Sequence, residues 1–166
     1  VRRRARASAT TVAFAAGGGR FRTWDEARAG HALTHDITGA RANGYGARIP
    51  PREPEEAAAI LLDLSRDSDL VLFEVFETDE AGHARSMERA LEVIERVDRF
   101  ARALVAGLRD GDSLVVASDH GNVEDLRTRN HTLNRVPVLG FGPAAGLVEG
   151  VGDLTGIAPL LRKVAA

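Results

Sequence analysis

The sequence contains no cysteine. This removes disulfide frameworks, thiolate zinc sites and cysteine nucleophiles in one step, so any metal ion must be held by His, Asp and Glu. No run of residues approaches the roughly 18 apolar positions of a membrane span. Charge of one sign is also lacking. The net charge is −2, and no global field points to nucleic acid or an anionic membrane surface as the main partner. Lysine is nearly absent: of the 22 basic residues, all but Lys163 are Arg. Together with abundant Ala and Gly, this reads as coding bias rather than chemistry. What remains is 166 residues, 44% hydrophobic and 28% charged, the balance of one soluble domain or the larger part of one. The expected location is cytoplasmic.

The chain opens on Val1, and Arg2, Arg3, Arg4 and Arg6 precede the mildly apolar stretch Ala9–Ala16. A charged region before a short apolar one has the outline of a signal peptide, but Thr10 and Thr11 interrupt the apolar half, which barely reaches the ~7-residue minimum. The favoured reading is a basic lead into a short strand, Thr11–Ala15, ended by Gly17-Gly18-Gly19. Residues 17–50 are rich in Gly, Arg and polar residues and have poor periodicity. A short helix is expected at Thr23–Ala29, where Thr23 can cap and Glu26 stands three residues on. A helix should run from Pro54 to about Arg66, with Glu55 and Glu56 in its first turn.

Asp69–Phe76 is short, β-branched and aromatic, and apolar on both faces, the pattern of a central parallel strand. Glu77–His83 is expected as the loop after it. A long amphipathic helix follows, about Ala84–Leu108, on the helical spacing of Met87, Ala90, Leu91, Ile94, Val97, Phe100, Ala101 and Leu104. Further strands are expected at Ser113–Ser118 and Val136–Phe141, and a last helix at about Leu154–Val164. The alternation predicts an α/β fold with a mainly parallel sheet flanked by helices. One domain portion is expected over 1–166, with 1–50 an irregular lead-in and 51–166 the core that bears the motifs.

Three of the five histidines fall beside these strands. Asp79 and His83 follow the first strand, Asp119 and His120 follow the second, and His131 lies in the loop before the third. Open α/β sheets bind ligands outside the carboxyl ends of their strands. Two Asp and three His therefore converge on one sheet edge if the strands are neighbours. Imidazole and carboxylate suit Zn, Mn or Fe, and five such groups exceed the three protein ligands typical of one catalytic ion. A two-metal site follows, and phosphoryl transfer is the natural reaction class for paired metals. Each piece has a plainer reading taken singly: a helix-start pair, an Asp-His-Gly-Asn turn, a surface histidine. Their coincidence at one edge is what favours metal. His31 and His35-Asp36 are expected to lie in a solvated loop. Among Arg41, Arg48, Arg127, Arg129 and Arg135, the two that flank His131, Arg129 and Arg135, are the expected phosphate contacts.

Ser118-Asp119-His120-Gly121-Asn122-Val123-Glu124, followed by His131-Thr132-Leu133-Asn134-Arg135-Val136-Pro137, resembles the DHGN-x-E … HT-x-N-x-VP signature of the cofactor-independent phosphoglycerate mutases, members of the alkaline phosphatase superfamily. Asp79-Glu80-Ala81-Gly82-His83 resembles the D-x-x-GH motif of that family. The resemblance covers roughly residues 54–142. It implies an alkaline-phosphatase-like fold, two divalent metal ions (Mn or Zn) and a phosphorylated small-molecule substrate. It implies further that Asp79, His83 and His131 hold one metal and that Asp119 and His120 hold the second. In the family the second metal also takes an Asp near the N-terminus and a Ser or Thr nucleophile that forms a phosphoenzyme. No counterpart of either is found here, since Ser8, Thr10 and Thr11 sit close to the start. The expectation is the C-terminal portion of a longer phosphatase or phosphomutase, with little turnover by itself. The alternative is a degenerate domain that binds metal or a partner without catalysis. Imidazole must be deprotonated to ligate, so metal affinity should fall below about pH 6.

Overall fold

Residues 7–165 are described by a computed structural model of the chain. The basic lead Arg2–Arg6 lies outside the described residues. Ala9–Ala16, expected in part as a strand, forms helix α1 instead. Four of its eight residues are Ala, the strongest helix former, and Ser8 caps it by accepting the Thr11 N–H at 3.2 Å. No residue of α1 is buried. It is tied to the rest of the chain through Glu74, whose carboxylate accepts from the Ser8 and Thr10 hydroxyls.

Helix α2, Trp24–Arg28, carries the expected capping box between Thr23 and Glu26. A five-residue helix, α3 (Ala40–Gly44), falls in the stretch expected to be irregular. This stretch has apolar packing of its own, with Ala27, Ala32, Ala42, Ala47 and Ile49 buried together. Helix α4, Pro54–Ser65, begins at Pro54 as expected, with a Glu53–Glu56 capping box.

The long helix expected at Ala84–Leu108 is α6 (Met87–Ala106), whereas Glu77–His83, expected as a loop, forms a helix of its own, α5 (Glu77–Ala84), separated from α6 at Arg85-Ser86. The break has a local cause. Arg85 adopts φ 57° and ends α5, and Ser86 caps α6 by accepting the Arg89 N–H. The Arg85 guanidinium also donates to the Leu126 carbonyl at 2.9 Å, which fixes the turn against the following loop. Helices α4 and α6 pack together around Ala57, Ala58, Phe100 and Leu104, with Ile37 buried in the same cluster. Arg99 bridges from α6 to Glu53 and Glu55, and Arg96 ties α6 to Glu77 of α5.

Asp69–Phe76 takes no regular secondary structure and forms no ladder with any strand among the described residues. One side behaves as the pattern predicts: Phe73 and Val75 pack on the α4–α6 core, and the Phe73 and Phe100 rings lie 5.5 Å apart. The other side, Leu70 and Leu72, is exposed. Strands β1 (Leu114–Ala117) and β2 (Val138–Phe141) do form at the expected places. Their pairing is antiparallel, Leu114 opposite Phe141 and Ala117 opposite Val138, and they are the whole sheet among the described residues. The mainly parallel sheet is therefore corrected to a two-stranded antiparallel one. A short crossing, Gly121 with Thr132, continues the pairing direction into the connecting loop. Beyond β2, short 3-10 turns lead into α7, Ile157–Val164, so the last expected helix starts three residues late.

Candidate metal centre

Asp79 and His83 lie on α5 rather than in a loop. The spacing i, i+4 puts both on one helix face, and His83 Nε2 is 3.3 Å from Asp79 Oδ1. The other members arrive from the connection between β1 and β2. In an antiparallel pair the end of β1 lies beside the start of β2, so the segment leaving β1 and the segment entering β2 share one edge. That geometry brings His120 and His131 together: their rings stack at 3.6 Å with 12° between planes. His131 Nε2 is 3.2 Å from Asp79 Oδ1, and His120 Nε2 is 4.0 Å from the same oxygen.

Asp79, His83 and His131 thus offer one ligand atom each, all within 4.8 Å of one another. Three of the five residues singled out for metal form this tight group. His120 is stacked against it. Asp119 sits at the rim, with Oδ1 3.5 Å from His120 Nε2 and its side chain 81% exposed. Arg129 and Arg135 lie exposed on the loop flanking His131. Arg129 meets the cluster through its backbone: its carbonyl accepts a hydrogen bond from His83 Nδ1 at 2.6 Å.

That bond decides the His83 tautomer. A carbonyl only accepts, so Nδ1 carries the proton, and in the neutral ring Nε2 keeps a lone pair facing Asp79. Asp79 Oδ1 is buried and accepts no hydrogen bond among the described residues. A carboxylate oxygen and an imidazole lone pair at about van der Waals distance repel unless a proton or a cation lies between them. The donor chemistry and the orphaned oxygen therefore fit a divalent ion. The side chains of Asp79, His83 and His131 remain 35%, 44% and 48% exposed, so the group is open to a ligand from outside.

The support around the cluster was not singled out from the sequence. Asn122 is buried, and its amide nitrogen lies 3.4 Å from His83 Nδ1. Its Oδ1 sits so close over Gly82 that a Cβ there would fall 1.3 Å away. Glu124 accepts hydrogen bonds from the Thr132 hydroxyl, the Asn134 amide and the Asn122 N–H. The Thr132 hydroxyl first, with help from Asn134, holds the Glu124 carboxyl below its ordinary value against the opposing effect of burial. All of these residues stand inside the quoted motifs, so the signal was present, but without the fold it assigns no partner. Asp36 corrects an expectation. It is buried rather than solvated, and accepts the Arg41 N–H at 2.6 Å. His35 packs its ring on Phe76, 5.1 Å away, at the start of α5. Arg41 forms an ion pair with Glu80, and Arg127 with Asp125.

The family described as the Metalloenzyme superfamily matches residues 11–161. The chain belongs to that superfamily. Its fold is α/β, and a divalent metal cofactor follows from membership. The superfamily chain is 36% identical over 107 residues to the 2,3-bisphosphoglycerate-independent phosphoglycerate mutase of Halobacterium salinarum, covering 59% of this chain and 21% of that protein. It is 32% identical over 125 residues to the corresponding mutase of Agrobacterium fabrum, covering 68% and 25%. It is also 35% identical over 96 residues to a phosphopentomutase of a Chelativorans species, covering 57% and 23%. The chain thus spans between a fifth and a quarter of the length of these relatives. No solved structure matches it. Among the described residues, no helix is long and apolar enough to cross a membrane.

Proposed function

We propose that the chain supplies metal-holding residues to a metal-dependent phosphoryl-transfer enzyme of the phosphomutase or phosphatase type, acting on a phosphorylated small molecule. The observation that carries this reading is the convergence of three imidazole nitrogens on Asp79 Oδ1, at 3.2, 3.3 and 4.0 Å. In it, Asp79, His83 and His131 hold one divalent ion, Mn or Zn, and Asp119 and His120 hold a second. Such ions, when bound, neutralise charge on phosphoryl oxygens and on the attacking and leaving oxygens.

The residues of the chain have separate tasks. Asp79 contributes the negative charge shared by the histidines. His83 is kept in its Nδ1–H tautomer by the Arg129 carbonyl, and this leaves Nε2 free to ligate. The exposed flank of the cluster admits the phosphate, and Arg129 and Arg135, exposed on the loop flanking His131, supply guanidinium groups suited to paired oxyanion contacts. The similarity to both a phosphoglycerate mutase and a phosphopentomutase supports a phosphorylated substrate and does not choose between them.

The test is calorimetric titration of the Mn-loaded chain with inorganic phosphate, repeated after chelation. Binding that requires metal and weakens in Arg129→Ala or Arg135→Ala is the expected result. Equal phosphate binding with and without metal contradicts the reading. Metal binding without any phosphate affinity favours a metal-binding domain that has no part in catalysis.

A further inference from the structure

We propose that Glu124 is the positioning residue of the metal centre, a clamp that locks the loop carrying His120 to the loop carrying His131. This rests on reading the Asp79 cluster as a metal site. Glu124 is not itself part of that cluster. Its carboxylate reaches both loops at once. Oε1 accepts the Thr132 hydroxyl at 2.5 Å and the Asn134 amide at 3.0 Å, and Oε2 accepts the Asn122 N–H at 2.5 Å. Thr132 is the residue after His131, and its own N–H donates to the Gly121 carbonyl at 2.9 Å. Asn122 stands two residues past His120 and approaches the His83 ring. One acidic side chain therefore ties the His120 segment to the His131 segment, and the residue it holds, Asn122, lies against the His83 ring.

The packing leaves no slack. A Cβ on Gly121 would fall 2.1 Å from the Thr132 hydroxyl and 2.6 Å from Glu124 Oε1. The donors are an alcohol, an amide and a backbone N–H, so the carboxylate is spent on orienting loops rather than on neutralising an arginine. An ionised carboxylate suits this task because both oxygens accept and neither donates, and charge-assisted bonds are the stronger kind. The need is plain from the fold. His120 and His131 lie outside helix and strand, and ligands on irregular backbone hold their geometry only when a second set of contacts fixes them. Glutamine at this position keeps one acceptor oxygen for Thr132 and Asn134 but turns a donor toward the Asn122 N–H, so it preserves part of the clamp.

The experiment uses the full chain, with Mn(II) binding followed by the loss of the free-ion EPR signal and amide hydrogen exchange read at Thr132 and Asn122. Glu124→Ala should weaken Mn(II) binding by about 10- to 100-fold and speed exchange at both amides, with exchange in α6 unchanged. Glu124→Gln should recover part of the affinity and slow the Thr132 amide again. It also answers the question if the alanine variant fails to fold. Mn(II) affinity in Glu124→Ala equal to that of the unsubstituted chain overturns the proposal, as does unchanged exchange at Thr132. If the unsubstituted chain binds no Mn(II), the metal reading itself fails. The exchange data then decide the clamp alone: faster exchange at Thr132 and Asn122 upholds it, and unchanged exchange overturns it.

Discussion

Gly82 and Asn122 compete for the same space, which links the first motif to the second. The Asn122 carboxamide lies over the Gly82 Cα where any side chain would go. Gly82→Ala should destabilise the chain by about 1–3 kcal/mol through overpacking. Removing the obstacle in Gly82→Ala/Asn122→Ala should return part of that loss, so the two substitutions are strongly non-additive in urea melts. Additive effects would show that the close approach is not what requires glycine. This pairing also marks where residue-level reading of the sequence stops. Asp79, His83, His120 and His131 were legible because ligand types are few and their places beside strands were patterned. Asn122, Thr132 and Glu124 are ordinary polar residues, and only the fold supplies their partners. The Arg129 carbonyl is a backbone group and carries no side-chain signal at all.

At the scale of elements, what reads directly from sequence is what local chemistry decides. The Thr23–Glu26 capping box and the Pro54 start of α4 were visible because their partners lie three residues apart or less. Glu26 makes a pH prediction. The Arg20 guanidinium first, then the Thr23 N–H, lowers its carboxyl from the ordinary 4.5 to about 2. A carboxyl depressed in the folded state stabilises fully above 4.5, and that contribution is lost as pH falls from there toward 2. An NMR titration should place Glu26 well below the other exposed glutamates, with the depression reduced in Arg20→Ala and by high salt, as expected for an exposed pair. The α4–α6 contact depends on Phe100, which is 4% exposed. Phe100→Ala should cost about 3–5 kcal/mol, measurable by chemical denaturation, and a cost below 1 kcal/mol would remove this contact from the core. Long-range pairing was the part not legible. The apolar run at 69–76 predicts burial on both faces, but a strand needs a neighbour, and none among the described residues supplies one. Glu77–His83 likewise reads as a loop, because its polar residues and Gly82 leave no apolar stripe at helical spacing, yet it folds as α5.

At the scale of the whole molecule, the antiparallel pairing of β1 and β2 brings the site together. The sequence places the metal-type residues at strand ends, and a parallel sheet would leave the segment entering β2 at the edge opposite the one leaving β1. The antiparallel pair puts both at one edge, and α5 presents Asp79 and His83 to it. The sequence leads to two Asp and three His at one edge of a parallel sheet, and the structure brings Asp79, His83, His120 and His131 together through an antiparallel pair instead. The most direct test of the central claim is the metal content of the purified chain by elemental analysis, after loading with Mn and Zn and removing the excess. The account predicts at least one bound equivalent, lost in Asp79→Ala and in His131→Ala and retained in Arg135→Ala. No bound metal in the unsubstituted chain, or the same content in Asp79→Ala, would contradict it.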